Sequence, residues 1–305
     1  MHDLVIIGAG PAGLTAGLYA GRYRLNTVIL EKMNVGGQII LSESIENFPG
    51  FPGGLTTQEL TDRFKKQLDN IGVPIENEEV IEVIAGQDGF YTVKTQDKSY
   101  ETRTVIIASG AVPKRLEVPG EERLTGRGVS YCATCDGPLF KNKEVAVVGG
   151  GDRAVEEALF LARYAKRVSL IHRRRELRAS GILQEKARAQ ANIEFVLESI
   201  VEEIIGEDRV EAVRVKDIND NREQKLVCQG VFLFVGIRPN TAFLKKLLHT
   251  DEAGFIMTDQ ESKTSREGVF ACGDCCKKSL YQVITACGEG AAAADAAHQY
   301  LLNKK

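Results

Sequence analysis

Two glycine-rich turns written on one template constrain this chain more than any other feature: Gly8-Ala9-Gly10-Pro11-Ala12-Gly13 and Gly149-Gly150-Gly151-Asp152-Arg153-Ala154. An offset of 141 residues superimposes them, and the match continues into their flanks. Leu4-Val5-Ile6-Ile7 falls on Val145-Ala146-Val147-Val148, Arg22-Tyr23 on Arg163-Tyr164, and Val28-Ile29-Leu30 on Ser169-Leu170-Ile171. Each copy therefore reads as a buried strand, a tight turn and a helix crossing back to a parallel strand. Gly8 and Gly149 permit the sharp bend, and Gly10 and Gly151 let a pyrophosphate approach the backbone. Gly13, or the small Ala154, lets helix and strand pack closely. The whole turn, with Pro11 and Ala12 in one copy and Asp152 in the other, is assigned to dinucleotide binding.

The residue closing the second strand separates the copies, and it stands 23 residues after the first glycine in both. In the first it is Glu31, whose carboxylate accepts ribose hydroxyls and repels a 2′-phosphate, which suits FAD. In the second it is His172, followed by Arg173, Arg174, Arg175 and Arg178. Guanidinium forks match phosphate geometry, so this run predicts a 2′-phosphate site and NADPH rather than NADH. A charge run is ordinarily a solvated face; here its register with the glycine turn favours the phosphate.

Between the two units lies Cys132-Ala133-Thr134-Cys135-Asp136. Two thiols two residues apart can close into a reversible disulfide, exchange proceeds through a thiolate, and a neighbouring acid can protonate the leaving sulfur. Cys132, Cys135 and Asp136 are the candidate catalytic residues, and a dithiol between two nucleotide sites predicts a flavoprotein disulfide reductase. A CxxC can also be half of a zinc site, and Cys272-Gly273-Asp274-Cys275 repeats the spacing. The competing assignment places Gly273 and Asp274 at the flavin, leaves Cys228, Cys272, Cys275, Cys276 and Cys287 without a chemical role, and expects no metal.

Composition excludes more than it identifies. A net charge of −3 gives no general reason to bind nucleic acid or a membrane surface. The longest apolar runs, such as Val231-Phe232-Leu233-Phe234-Val235, are far short of a membrane span. Seven cysteines, an odd number, argue against a secreted disulfide framework. The first residues run straight into an apolar strand, which leaves no room for a signal peptide. A cytoplasmic location is expected.

Phe90 to Thr95 and Tyr100 to Ala108 read as strands of a small antiparallel insertion, leading to Ser109-Gly110 and a proline-bearing link, Ala111 to Lys114. Val231 to Gly236 is a further strand, Arg238-Pro239-Asn240 a crossing back, Gly268 to Asp274 strand then turn, and Gln282 to Leu302 a helix rich in small residues. The predicted class is α/β with two Rossmann-like dinucleotide-binding domains, an NADPH domain inserted into a discontinuous FAD domain. The expected boundaries are 1–113 with 240–305 for FAD, and 114–239 for NADPH and the CxxC.

Nearly the whole chain resembles bacterial-type, low-molecular-weight thioredoxin reductase. The resemblance rests on GAGPAG, Gly36-Gly37-Gln38, Glu46-Asn47-Phe48-Pro49-Gly50, CATCD, the GGGxxA turn with Glu156-Glu157-Ala158, His172-Arg173-Arg174 with Arg178, and Gly273-Asp274. It implies a homodimer whose domains rotate so that the flavin faces nicotinamide and then disulfide. Cys135 would meet the flavin, Cys132 would attack the disulfide of a thioredoxin-like partner, and Asp274 would hold the ribityl chain. Gly37, Gln38, Asn47, Ala108, Gly110 and Gln282 would complete the cofactor contacts. Where the family commonly has Arg-Gln, this chain has Tyr281-Gln282, so one charged contact near a cofactor is missing. A flavin-dependent dithiol oxidase, the reductase component of a peroxidase system and a non-catalytic redox sensor are the competing functions; an oxidase needs no arginine cluster.

Overall fold

The computed structural model describes residues 1–41, 44–45, 47–86, 89–244 and 247–304, and of residues 41, 44, 134 and 135 the backbone alone. Glu46 and the Cys135 side chain thus lie outside the described residues. The chain divides into two compact units, Met1–Val112 with Arg238–Lys305, and Pro113–Ile237.

In the first unit, strand His2–Ile7 lies parallel to Thr27–Glu31 on one side and to Ser99–Ile107 on the other. Alternation along His2–Ile7 sets the two faces of the sheet. Leu4 and Ile6 join helix Pro11–Arg22 and helix Val283–Asn303 in one apolar cluster, while Val5 and Ile7 join Tyr91, Val93, Leu244 and Ile256 in another. Each such buried aliphatic side chain contributes about 1.5–3 kcal/mol.

Besides His2–Ile7, Ser99–Ile107 serves two partners on its other edge. Its first half pairs antiparallel with Tyr91–Thr95, and its second half pairs parallel with Val269–Ala271. The antiparallel strands expected as a small insertion are therefore continuous with the main sheet. One strand of nine residues is long enough to carry both neighbours along the same edge.

The second unit repeats the plan. Glu144–Gly149 lies parallel to Arg167–Ile171 and to Gly230–Phe234. Val145 and Val147 pack under helix Asp152–Ala162, and Ala146 and Val148 face the opposite cluster. The 141-residue offset thus preserves which face each side chain takes as well as the order of elements. A three-stranded antiparallel sheet, Ser199–Ile205, Ala212–Asp217 and Glu223–Val227, covers the second face; the sequence reading left this stretch unassigned. Among the described residues no helix is long and apolar enough to cross a membrane.

Candidate active site

The first glycine turn has the local geometry that its three expected duties require. A Cβ added at Gly8, where φ is 107°, would lie 2.3 Å from the Ala108 carbonyl oxygen, and one added at Gly13 would lie 1.8 Å from the Gly8 oxygen. At Gly10 it would meet nothing within 4 Å, so this backbone is open to a ligand. Helix Pro11–Arg22 begins with Pro11 in its first turn, and its N-cap, Gly10, supplies no side-chain cap. The free first-turn N–H groups and the positive helix end form an anion site.

Other predicted residues converge on this turn. A Cβ at Gly37 would approach the Gly10 Cα to 3.1 Å, and one at Gly273 the Ala12 Cβ to 2.8 Å. Glu31 accepts the Ala9 N–H at 2.7 Å through one oxygen and the Met33 N–H at 2.9 Å through the other. Beside it opens a cleft of about 530 Å³ lined by Gly8, Glu31, Lys32, Ser109 and Asn240 among others. A glycine turn without a cap, an open middle glycine and an acidic residue at the rim of a cleft fit an unphosphorylated adenine dinucleotide such as FAD.

Several side chains organise the site rather than simply line it. The Gln38 amide donates to the Ala111 carbonyl at 2.5 Å, and Asn47 donates to Gln282 Oε1 at 3.1 Å. Gln282 also caps helix Val283–Asn303 in a reciprocal arrangement with Thr285. Glu289 accepts the Gly273 N–H at 2.8 Å and the Lys278 ammonium at 2.7 Å, while Lys278 stands 3.8 Å from Asp274. Sequence reasoning missed Glu289, Lys278, Ser109 and Asn240, which carry no local motif. Where the expected arginine is replaced, the Tyr281 ring packs 5.8 Å from that of Phe255 and lies under the Lys278 ammonium.

The second turn has the same anatomy with a different rim. A Cβ at Gly149 would strike the Phe234 carbonyl oxygen at 2.4 Å, one at Gly151 would meet nothing within 4 Å, and Ala154 fills the third position. Helix Asp152–Ala162 also lacks a side-chain cap at its N-cap Gly151. The arginine loop is fastened to this turn: the Arg178 and Ala179 N–H groups both donate to the Gly150 carbonyl, at 2.6 and 3.1 Å. Asp152 accepts the Ser180 N–H at 2.6 Å. The Asp152 carboxylate is thereby spent on the loop.

His172 packs its ring against Gly150, where an added Cβ would lie 2.3 Å from Nδ1. Burial, then the Arg178 guanidinium, push its pKa down, so the ring is neutral at pH 7. Its buried Nε2 has no hydrogen-bond partner, while Arg173, Arg174, Arg175 and Arg178 are exposed. Open backbone, an unpartnered ring nitrogen and a fixed loop of guanidinium groups fit NADPH with its 2′-phosphate.

The redox motif forms a short helix, Ala133–Asp136, followed by a 3-10 turn, Gly137–Phe140. Cys132 is disulfide-bonded, whereas Cys228, Cys272, Cys275, Cys276 and Cys287 are free thiols. The Ser130 hydroxyl accepts the Cys132 N–H at 3.0 Å and donates to its carbonyl at 3.1 Å, a clamp that the sequence did not announce. Tyr131 donates to the buried Glu121 carboxylate, which also accepts the Leu116 and Glu117 N–H groups. Gly137 lies against Phe160 and Leu161 of helix Asp152–Ala162, so the redox helix rests on the helix that opens at the second turn. Asp136 is half-buried, with its N–H directed to the Cys132 carbonyl at 3.3 Å. Among the described residues no group of three or more His, Cys, Asp or Glu is arranged to hold a metal ion.

Comparison with known proteins places this geometry in a family. Residues 2–290 match the pyridine nucleotide-disulphide oxidoreductase model. A thioredoxin reductase from Listeria innocua is 44% identical over 302 residues, covering 99% of this chain and 94% of that protein. The crystal structure of Lactococcus lactis thioredoxin reductase superimposes with a TM-score of 0.96 at 39% identity, covering 99% of this chain and 100% of the other. That of T. acidophilum thioredoxin reductase gives 0.94 at 34%, covering 99% of each chain. The chain belongs to the pyridine nucleotide-disulphide oxidoreductase family, among the bacterial-type thioredoxin reductases.

Proposed function

We propose that the chain works as an NADPH-dependent flavoprotein reductase of a thioredoxin-like protein, through a disulfide joining Cys132 to Cys135. The observation that carries this reading is the disulfide-bonded Cys132 in the same compact unit as a glycine turn bearing an arginine loop. An oxidase function leaves that loop without use.

Residues 1–113 and 240–305 would hold FAD and residues 114–239 NADPH. Gly10, Ala12 and Gly13 would offer backbone N–H groups to a pyrophosphate, with Gly8 making the bend and Pro11, which has no N–H, opening the helix; Glu31 would accept ribose hydroxyls, and Gly273 with Asp274 would hold the ribityl chain. Gly37, Gln38, Asn47, Ala108, Gly110 and Gln282 shape the remaining wall. Gly149, Gly151, Asp152 and Ala154 form the second cradle, with His172, Arg173, Arg174 and Arg178 on the 2′-phosphate. Bound FAD supplies the two-electron chemistry that couples nicotinamide to sulfur.

The residues of the chain then handle protons and sulfur. The disulfide takes two electrons, Cys132 becomes the attacking thiolate, and Asp136 donates and recovers the proton that the leaving sulfur needs. Cys132 displaces one sulfur of the partner's disulfide, Cys135 resolves the mixed disulfide, and the partner leaves as a dithiol. Overall one NADPH and one proton are consumed for each disulfide reduced. A thioredoxin-like acceptor at about −270 mV is within range of nicotinamide.

We further assign a homodimer in the cytoplasm without membrane or nucleic-acid partners. Five free thiols suit a reducing compartment, and a net charge of −3 attracts no polyanion. Light scattering of the holoprotein at twice the chain mass checks the dimer. The deciding assay measures NADPH consumption with and without oxidised thioredoxin, for the native chain and for Cys135→Ser. Thioredoxin-dependent turnover that survives in the variant overturns the mechanism.

A further inference from the structure

The free cysteines are not equivalent. Cys275 and Cys276, adjacent in the chain and both buried, bring their sulfurs to 4.0 Å. Cys272, which shares a CxxC spacing with Cys275, belongs to the apolar cluster on the other face of the sheet. Cys275 bonds the Cys272 carbonyl, at 3.2 Å, through its own sulfur.

The Cys275 sulfur sits in a nest built for both of its protonation states. Carbonyl oxygens of Cys272 and Ile107, at 3.2 and 3.5 Å, accept its proton. The Cys276 thiol, then the Gly110 N–H, favour its anion, and the Lys278 ammonium adds positive potential. Those donors hold the Cys275 thiol below the usual range against the opposing effect of burial. Cys228, by contrast, is pushed up to about 12, chiefly by burial, and burial also drives Cys272 well upward. Oxidation follows thiolate character and exposure together; both sulfurs are buried, so a peroxide reaches them only when this segment opens, and among the free cysteines of the described residues it is Cys275 and Cys276 whose sulfurs already face each other.

We propose that Cys275 and Cys276 are a second redox site, an adjacent dithiol that a hydroperoxide oxidises to a vicinal disulfide beside the Gly273-Asp274 turn. The Cys275 thiolate attacks the peroxide oxygen, forming a sulfenic acid and releasing hydroxide, which takes up a proton to leave as water. The Cys276 sulfur then displaces the sulfenic hydroxyl as a second water. Two thiols and one hydrogen peroxide yield one disulfide and two waters, with two electrons passing from sulfur to oxygen. The sulfurs close from 4.0 Å to about 2.05 Å.

The eight-membered ring so formed strains the peptide between the two residues. That peptide is held at both ends: the Cys275 carbonyl accepts the Ile256 N–H at 2.9 Å, and the Cys276 N–H donates to the Gly273 carbonyl at 3.0 Å. Gly273 carries a φ of 77°, so twisting this peptide displaces the turn assigned above to the flavin. This consequence, unlike the sulfur chemistry, rests on that assignment.

The test uses the full-length holoprotein exposed to equimolar hydrogen peroxide, denatured with an alkylating agent and digested with trypsin. The peptide of residues 267–277 contains Cys272, Cys275 and Cys276. Expected is a peptide two hydrogens lighter with one alkylated cysteine, restored by dithiothreitol, retained in Cys272→Ala and abolished in Cys276→Ala. In Cys276→Ala a Cys275 sulfenic acid should be captured by dimedone. Threefold alkylation of the native peptide, or a hydrogen loss that disappears in Cys272→Ala and persists in Cys276→Ala, overturns the site. FAD released in proportion to the disulfide is expected, and disulfide with full FAD retention overturns the link to the turn. An untreated chain that binds no FAD would count against the flavin assignment alone, since the peptide readout needs none.

Discussion

The carboxylate of Glu31 accepts the backbone N–H of Ala9 at 2.7 Å, which fixes the residue proposed to read the ribose to the turn proposed to bind the pyrophosphate. One oxygen is held by the turn and the other by the Met33 N–H, so the group is oriented before a ligand arrives. Hydrogen bonds to a charged group contribute roughly 1.5–3 kcal/mol. Glu31→Ala should therefore weaken FAD binding about 10- to 100-fold, read by titrating FAD into the cofactor-stripped chain. Undiminished affinity would remove Glu31 from the site.

The arginine loop predicts a selective loss. Arg174→Ala combined with Arg178→Ala should raise KM for NADPH by about 10- to 100-fold or more while leaving KM for NADH nearly unchanged. The ratio of kcat/KM for the two nucleotides is the measurement. A parallel loss with both would mean that the loop supports folding rather than phosphate recognition.

Gly13 has no room for a methyl group, because its Cβ would lie 1.8 Å from the Gly8 oxygen. Gly13→Ala should displace the helix from the strand, destabilise the chain by about 1–3 kcal/mol or more and reduce FAD content. Thermal unfolding and the flavin absorbance per chain report the two effects separately.

Glu157 is buried on helix Asp152–Ala162, and burial pushes its pKa up from 4.5 to about 7, with Arg153 opposing the rise. Between those values the folded chain keeps a proton that the unfolded chain has released. Stability therefore falls as pH rises through that window, and the loss is complete above the folded pKa, by roughly 3 kcal/mol. Glu157→Gln should raise Tm near pH 8 and change it little near pH 4. Equal shifts at both pH values would show that Glu157 does not titrate in this way.

Leu139 is 68% exposed in the turn that follows the redox helix. Its apolar surface is open to solvent close in sequence to Cys132. Leu139→Ser should raise KM for oxidised thioredoxin several-fold with kcat nearly retained and NADPH affinity unchanged. Steady-state kinetics varying each substrate in turn checks this.

Much of this protein is legible along the chain because its governing interactions are local. Strand alternation, the glycine turns and the opening of each helix lie within about 20 residues, and the Glu31 and His172 positions follow from one spacing counted twice. The repeat also carries face assignments across, since Leu4 and Val145 each point toward a helix.

Other features needed the folded chain. Asn47 meets Gln282 across 235 residues, and Ser109 meets Asn240 across 131; no periodicity links such pairs. The strands from Ser199 to Val227 carry only a partial apolar pattern, with Glu223 and Lys225 facing solvent. Ser130 is an ordinary serine until the turn folds its hydroxyl between both backbone groups of Cys132.

The sequence by itself determined the α/β class, the doubled glycine turn and the redox motif, since each depends on residue type at short, fixed spacing. Tertiary structure decided that Gly273 packs on Ala12, that Glu289 binds Gly273 and Lys278, and that the Cys275 and Cys276 sulfurs face each other at 4.0 Å. Burial and hydrogen-bond geometry are properties of atoms brought together from distant parts of the chain, and only the fold sets them.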